Sequence, residues 1–175
     1  VCLRELGIQS NCLVIGGKCI LGLAGGPQGF TVHDSPQEVP NFRFVTEDGT
    51  RHYLEEFRGR MILLNVWATW CPPCVEEMST LDALEGALGG PEFEVVAVSI
   101  DRAGIPVVRR FFDEIAVENL DIYVDSTGLT ATALRAFGLP ATILISADGK
   151  EVGRLMGPAE WDTAEMISFI ESHID

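Results

Sequence analysis

The run Met61-Ile62-Leu63-Leu64-Asn65-Val66-Trp67 constrains this chain more than any other feature. It has the length of a strand and does not alternate apolar with polar, so both of its faces must be covered; such strands lie at the centre of parallel or mixed sheets. Helical and strand patterns alternate along the remainder of the chain, as such a sheet requires. Met78, Leu81, Leu84 and Leu88 recur at helical spacing until Gly89-Gly90-Pro91 stops them, and Phe93 to Ile100 reads as a second strand. Val107, Val108, Phe111, Phe112 and Ile115 form one face of a further helix, Ile122-Tyr123-Val124 a strand, and Leu129 to Phe137 a short helix. Ala141–Ser146 and Glu151–Met156 flank Ala147-Asp148-Gly149-Lys150, a hairpin turn. A last helix buries Met166, Ile167 and Ile170. Ahead of the central strand, Phe42 and Phe44, the turn Glu47-Asp48-Gly49 and the return at His52-Tyr53 predict another hairpin. The expected fold class is therefore α/β, a central mixed sheet flanked by helices.

Residues 1–38 lack this order. The cluster Gly25-Gly26-Pro27-Gln28-Gly29 and the pair Ser35-Pro36 read as leader or linker, with the folded domain over residues 39–175. The stretch from Leu13 to Ala24 is too short and too rich in glycine to cross a membrane; it suits the remnant of a secretory signal or anchor. Twelve Lys plus Arg against 26 Asp plus Glu give a net charge of -14, so the basic surface that nucleic acid or an anionic membrane requires is missing. The partner expected on this ground is a protein.

Chemistry is concentrated in Trp70-Cys71-Pro72-Pro73-Cys74, between the buried strand and the amphipathic helix. Two thiols three residues apart at a helix start can close a small disulfide ring and reopen it with little backbone movement. At the first turn, unpaired N–H groups and the helix dipole favour the Cys71 thiolate, making it the attacking sulfur; Cys74, deeper in the helix, is the resolving one. Pro72 and Pro73 fit a first turn, where a missing N–H costs little. A zinc half-site and an inert structural disulfide compete with redox exchange. Zinc needs two further ligands, and Cys2, Cys12, Cys19, His33, His52 and His173 offer no second tight pair. A ring this small contributes little loop-closure stabilisation. The pairs Glu55-Glu56, Glu76-Glu77 and Asp113-Glu114 are too dispersed for a metal site and read as solvated faces.

Asn65–Cys74, Val98-Ser99-Ile100-Asp101, Phe137-Gly138-Leu139-Pro140-Ala141-Thr142 and the turn at 147–150 together resemble the thioredoxin superfamily. Within it, residues 41–175 resemble the bacterial TlpA/ResA-like thiol-disulfide oxidoreductases. The resemblance implies a thioredoxin-like fold with an N-terminal hairpin and an extra strand–helix insertion. It also implies a cis-proline at Pro140, a state that few X–Pro bonds adopt. Leu139 and Pro140 would present a backbone edge to an extended client segment, with Trp70, Pro72 and Pro73 completing the client-facing surface and Trp70 shielding the disulfide. Thioredoxin keeps an Asp where Asn65 stands; the TlpA/ResA pattern instead has a Glu three residues after the second cysteine, here Glu77, which is the candidate for tuning thiol acidity. Ser79 replaces a frequent Pro of the family.

The function implied is reduction of protein disulfides in the bacterial periplasm or cell envelope, in cytochrome c maturation or respiratory oxidase assembly. It needs no metal and no cofactor beyond the redox-active pair Cys71–Cys74. A membrane electron donor would restore the dithiol, and contact with the membrane would run only through an N-terminal anchor. Ala141, where the haem-lyase-linked branch carries an acid, points to the general TlpA type. Two other readings stand beside it. Cytosolic tryparedoxins or nucleoredoxins share Trp-Cys-Pro-Pro-Cys. Copper-binding chaperones on this fold use a wider cysteine spacing and a distant His near the cis-proline, which is absent here.

Overall fold

The computed structural model describes residues 26–174 in full, and of the earlier residues only the backbone of two strands, β1 (Cys12–Ile15) and β2 (Lys18–Leu21), which pair as an antiparallel hairpin. The side chains of Cys2, Cys12 and Cys19 lie outside the described residues.

One mixed sheet organises the rest. Its strands are β3 (Thr31–Glu38), β4 (Arg43–Thr46), β5 (Arg51–Tyr53), β6 (Met61–Trp67), β7 (Phe93–Ser99), β8 (Tyr123–Val124), β9 (Ala141–Ile145) and β10 (Lys150–Met156), in the order β3-β10-β9-β6-β7-β8-β4-β5. β6, β7 and β8 run parallel, and the other pairings are antiparallel. The helices are α1 (Pro72–Leu88), α2 (Ile105–Ile115), α3 (Leu129–Ala133) and α4 (Ala164–Glu171).

Every residue of β6 is buried. Its side chains divide by alternation: Met61, Leu63 and Trp67 pack with Cys74, Met78, Leu81 and Leu84 of α1 and with residues of α2 and α4. Ile62, Leu64 and Val66 pack on the opposite face with Phe42, Phe44, Tyr123 and Leu134. Trp67 stacks on Phe112 of α2, with ring centroids 5.7 Å apart. Asn65 shares the α1 side by the same alternation, which places one polar side chain inside the larger core.

Two expectations need correction. Part of the segment read as linker belongs to the sheet, because Thr31–Glu38 pairs with β10 and Phe30 before it is buried against Phe169 of α4. The strand escaped notice because it lies at an edge and is mostly exposed, a place where Pro36 costs no ladder bond that matters. It is held by Glu151, buried, whose carboxylate accepts from Arg154 Nε and Nη2 at 2.5 Å each and lies 2.7 Å from His33 Nε2. Those bonds keep the Glu151 carboxyl below its ordinary range against the opposing effect of burial. The second correction is the helix expected to run to Phe137, which stops at Ala133. Arg135 turns left-handed (φ 54°), and the Leu134 carbonyl leaves the helical ladder to accept from Arg154 Nη1. Phe137 consequently stands 94% exposed, three residues ahead of Pro140.

Candidate active site

The chain leaves β6 at Trp67 and reaches α1 through a loop that hydrogen bonds hold in one shape. The Thr69 N–H donates to Asp101 Oδ2 at 2.8 Å and its hydroxyl to Oδ1 at 2.7 Å; Ser99 Oγ donates to the same carboxylate at 2.7 Å. Ile100 N–H donates to the Trp67 carbonyl, and Cys71 N–H to that of Ala68. Asp101 is buried, so its bonds are not exchanged for water. The variant Asp101→Asn keeps the shape but turns an N–H₂ group toward one of these donors. We expect it to lower unfolding stability by about 1–2 kcal/mol, read as a reduced urea midpoint at unchanged slope.

Cys71 is the N-cap residue of α1, and its sulfur is joined to that of Cys74, with Cα atoms 5.3 Å apart. Cys71 is 5% exposed and Cys74 fully buried, so the two sulfurs differ in access as the sequence suggests. The electrostatic setting differs from the expectation in one respect. Pro72 and Pro73 have no N–H, and those of Cys74 and Val75 both donate to the Cys71 carbonyl. The favourable field on a Cys71 thiolate is therefore that of the helix dipole, without a ring of free N–H groups.

One turn beyond Cys74, Glu77 is 2% exposed. This overturns the solvated-face reading for Glu77, whereas its neighbour Glu76 is exposed. Three groups donate to the Glu77 carboxylate: Asn65 Nδ2 to Oε1 at 2.8 Å, and Trp161 Nε1 and Ala159 N–H to Oε2 at 3.0 and 3.1 Å. All three bonds favour the ionised form, yet burial dominates and pushes the carboxyl up to about 7. Asn65 also donates to Thr142 Oγ1 at 2.9 Å, across the β6–β9 register that pairs these two residues. Asn65 and Trp161 were missed as site residues. Asn65 carried a signal, being the polar member of an otherwise apolar buried run; Trp161, in a polar stretch far along the chain, carried none.

The Leu139–Pro140 bond is cis. Because Val66 pairs with Ala141, Pro140 lies at the end of the sheet from which the loop to Cys71 departs. Leu139 is half-buried and Pro140 buried; Pro72 is exposed and Pro73 half-buried. Trp70 is 64% exposed at the mouth of a cleft lined also by Ile100, Arg102, Thr127 and Gly128, so most of its indole meets solvent.

A model of the Redoxin family matches residues 35–168. The chain belongs to the Redoxin family. Among its relatives, the thiol-disulfide oxidoreductase ResA of Bacillus subtilis (strain 168) is 30% identical over 157 residues, covering 88% of this chain and 86% of that protein. ResA of Bacillus cereus is 28% identical over 148 residues, 79% of this chain and 84% of its own length. Among solved structures, a putative thiol:disulfide interchange protein DsbE from Chlorobium tepidum superposes with a TM-score of 0.71 at 23% identity, over 81% of this chain and 99% of the other. StoA from Bacillus subtilis does so at 0.62 and 21%, over 76% and 99%. These two establish the thioredoxin-like fold. This Redoxin-family chain is a thiol-disulfide oxidoreductase, and its Cys71 and Cys74 are joined in a disulfide.

Proposed function

We propose that this enzyme reduces disulfides of client proteins in the bacterial cell envelope. The observation that carries the reading is the asymmetric Cys71–Cys74 pair at the start of α1, with Cys71 retaining a small opening to solvent, Cys74 sealed, and the buried Glu77 one helical turn beyond. In the reduced enzyme the Cys71 thiolate attacks a client disulfide, forming a mixed disulfide and expelling one client thiolate. Cys74 then loses its proton and attacks Cys71 Sγ, releasing the second client thiol. The client gains two electrons and two protons, and the enzyme returns to the disulfide.

Glu77 is assigned to the second step. A carboxyl poised near neutrality can take a proton from a neighbouring thiol and return it, where one of ordinary acidity would hold its charge throughout. Leu139, Pro140, Trp70, Pro72 and Pro73 are assigned to the client-facing surface, because they lie at the same end of the sheet or flank Cys71. Envelope location, recharging by a membrane electron donor, and service to cytochrome c maturation or respiratory oxidase assembly rest on likeness to ResA-type proteins. No helix among the described residues is long and apolar enough to cross a membrane.

The direction of electron flow is tested by equilibrating the Cys71–Cys74 pair with reference dithiols. A midpoint near that of thioredoxin, about -270 mV, is expected of a reductant, whereas one near about -120 mV would make the protein an oxidant and overturn the proposal.

A further inference from the structure

The Glu77 carboxyl poses a problem of hydrogen-bond supply. Its partners are Asn65 Nδ2, Trp161 Nε1 and the Ala159 N–H, and in the present arrangement each donates. An ionised carboxylate accepts all of them; a protonated carboxyl adds an O–H that must donate, and none of these atoms can receive it. An indole N–H and a backbone N–H are donors only. The Asn65 head, by contrast, carries an acceptor as well. Its Oδ1 is buried and has no hydrogen-bond partner among the described residues. Rotation of the head about χ2 exchanges Oδ1 and Nδ2 at almost constant shape; the N–H₂ then takes the unpartnered place of Oδ1, a cost set against that of leaving the carboxyl O–H unpaired. The second partner of Asn65 can follow, since the Thr142 hydroxyl now accepts from Nδ2 and can equally donate to Oδ1.

We infer that Asn65 is a two-position residue that reads the proton on Glu77: its Nδ2 faces the ionised carboxylate, and the head turns to present Oδ1 when the carboxyl is protonated. The inference deepens the proposed role of Glu77, because a proton arriving there from the resolving thiol would be met by an amide head able to turn Oδ1 toward the new O–H. Asn65 is thus a positioning residue acting through Glu77. No other charged side chain among the described residues is hydrogen-bonded to the Glu77–Asn65 cluster. Glu76 on α1, and Glu160 and Asp162 in the loop before α4, are exposed; Cys71 and Cys74 are tied in the disulfide; β6 and β9 carry no charged side chain. With the carboxyl pushed up to about 7 by burial, both orientations are populated around neutral pH.

The test uses the oxidised, isotopically labelled chain, so that no client or turnover is involved. The Glu77 carboxyl carbon is followed by NMR from pH 5 to pH 9, together with the NOEs from the Asn65 side-chain amide protons to the Thr142 side chain. Above the Glu77 midpoint the NOEs should be strong. Below it they should be lost, with the same midpoint as the carboxyl carbon. In Glu77→Gln the side-chain N–H₂ donates toward Asn65 at every pH, so the amide should stay turned and the NOEs absent throughout. NOEs that persist on both sides of the Glu77 midpoint in the wild-type chain would overturn the inference while leaving disulfide reduction intact. Failure of the dithiol to reduce insulin, with the NOEs still switching, would instead strike the functional reading alone.

Discussion

Replacing Cys71 by Ser abolishes disulfide reduction, with a loss on the order of a thousandfold or more, whereas replacing Cys74 by Ser stops turnover at the mixed disulfide and leaves the client attached. The two variants differ because the two sulfurs do. Cys71 is the one with a surface opening, and a serine hydroxyl there is almost never ionised and is a poor nucleophile toward sulfur. Cys74 is sealed beneath it and cannot be reached by a client of any size. Its partner is whatever sulfur sits on Cys71, so removing Cys74 leaves the first bond formed with nothing to break it. Non-reducing gels of Cys74→Ser incubated with oxidised insulin should show an adduct that dithiothreitol dissolves. The double variant should show none. An adduct formed by Cys71→Ser and missing from Cys74→Ser would reverse the assignment.

The sequence makes this part of the site legible because its chemistry is local. Cys71, Cys74 and the prolines between them come directly after the buried run of β6, and their spacing alone sets the ring and the helix start. The hairpin of β9 and β10 and the helical face of α1 are legible for the same reason, each being written in one short stretch with its own turn or stop residues. The features that escaped depend on distant segments meeting. Whether Glu77 is solvated or buried is decided by Trp161 and Ala159, more than 80 residues away, and by Asn65 across the helix–sheet interface. Edge strand β3 was hidden likewise. Its polar, proline-containing sequence has no strand pattern of its own and is paired because β10 and the buried Glu151 provide partners for it. Past the end of α3, Arg135 is left-handed and the Leu134 carbonyl accepts from Arg154, 20 residues away, neither of which the local sequence announces.

The same burial that hides Glu77 from the sequence gives a large and testable dependence of stability on pH. A carboxyl raised from 4.5 to about 7 in the folded protein binds its proton more tightly there than in the unfolded chain. Between those values the native state holds more protons, so stability falls as pH rises; the contribution is intact below the unfolded pKa and lost above the folded one. The shift corresponds to about 3 kcal/mol. Urea unfolding of the oxidised protein at pH 5 and pH 8 should therefore show Glu77→Gln gaining on the wild-type chain by about 2.5 kcal/mol, the part of the shift that falls within that interval. Glu85, half-buried on α1 and also raised to about 7, contributes a slope of its own, but it is present in both chains and cancels in the difference. A gap that does not change with pH would mean that Glu77 is ionised at ordinary acidity, and with it would go the acid assigned to the resolving step. A gap that opens as expected gives the cost at which this fold keeps an acid beneath its dithiol. Glutamine has almost the same shape and no proton to exchange, so the more stable variant should also be the slower reductant near neutral pH.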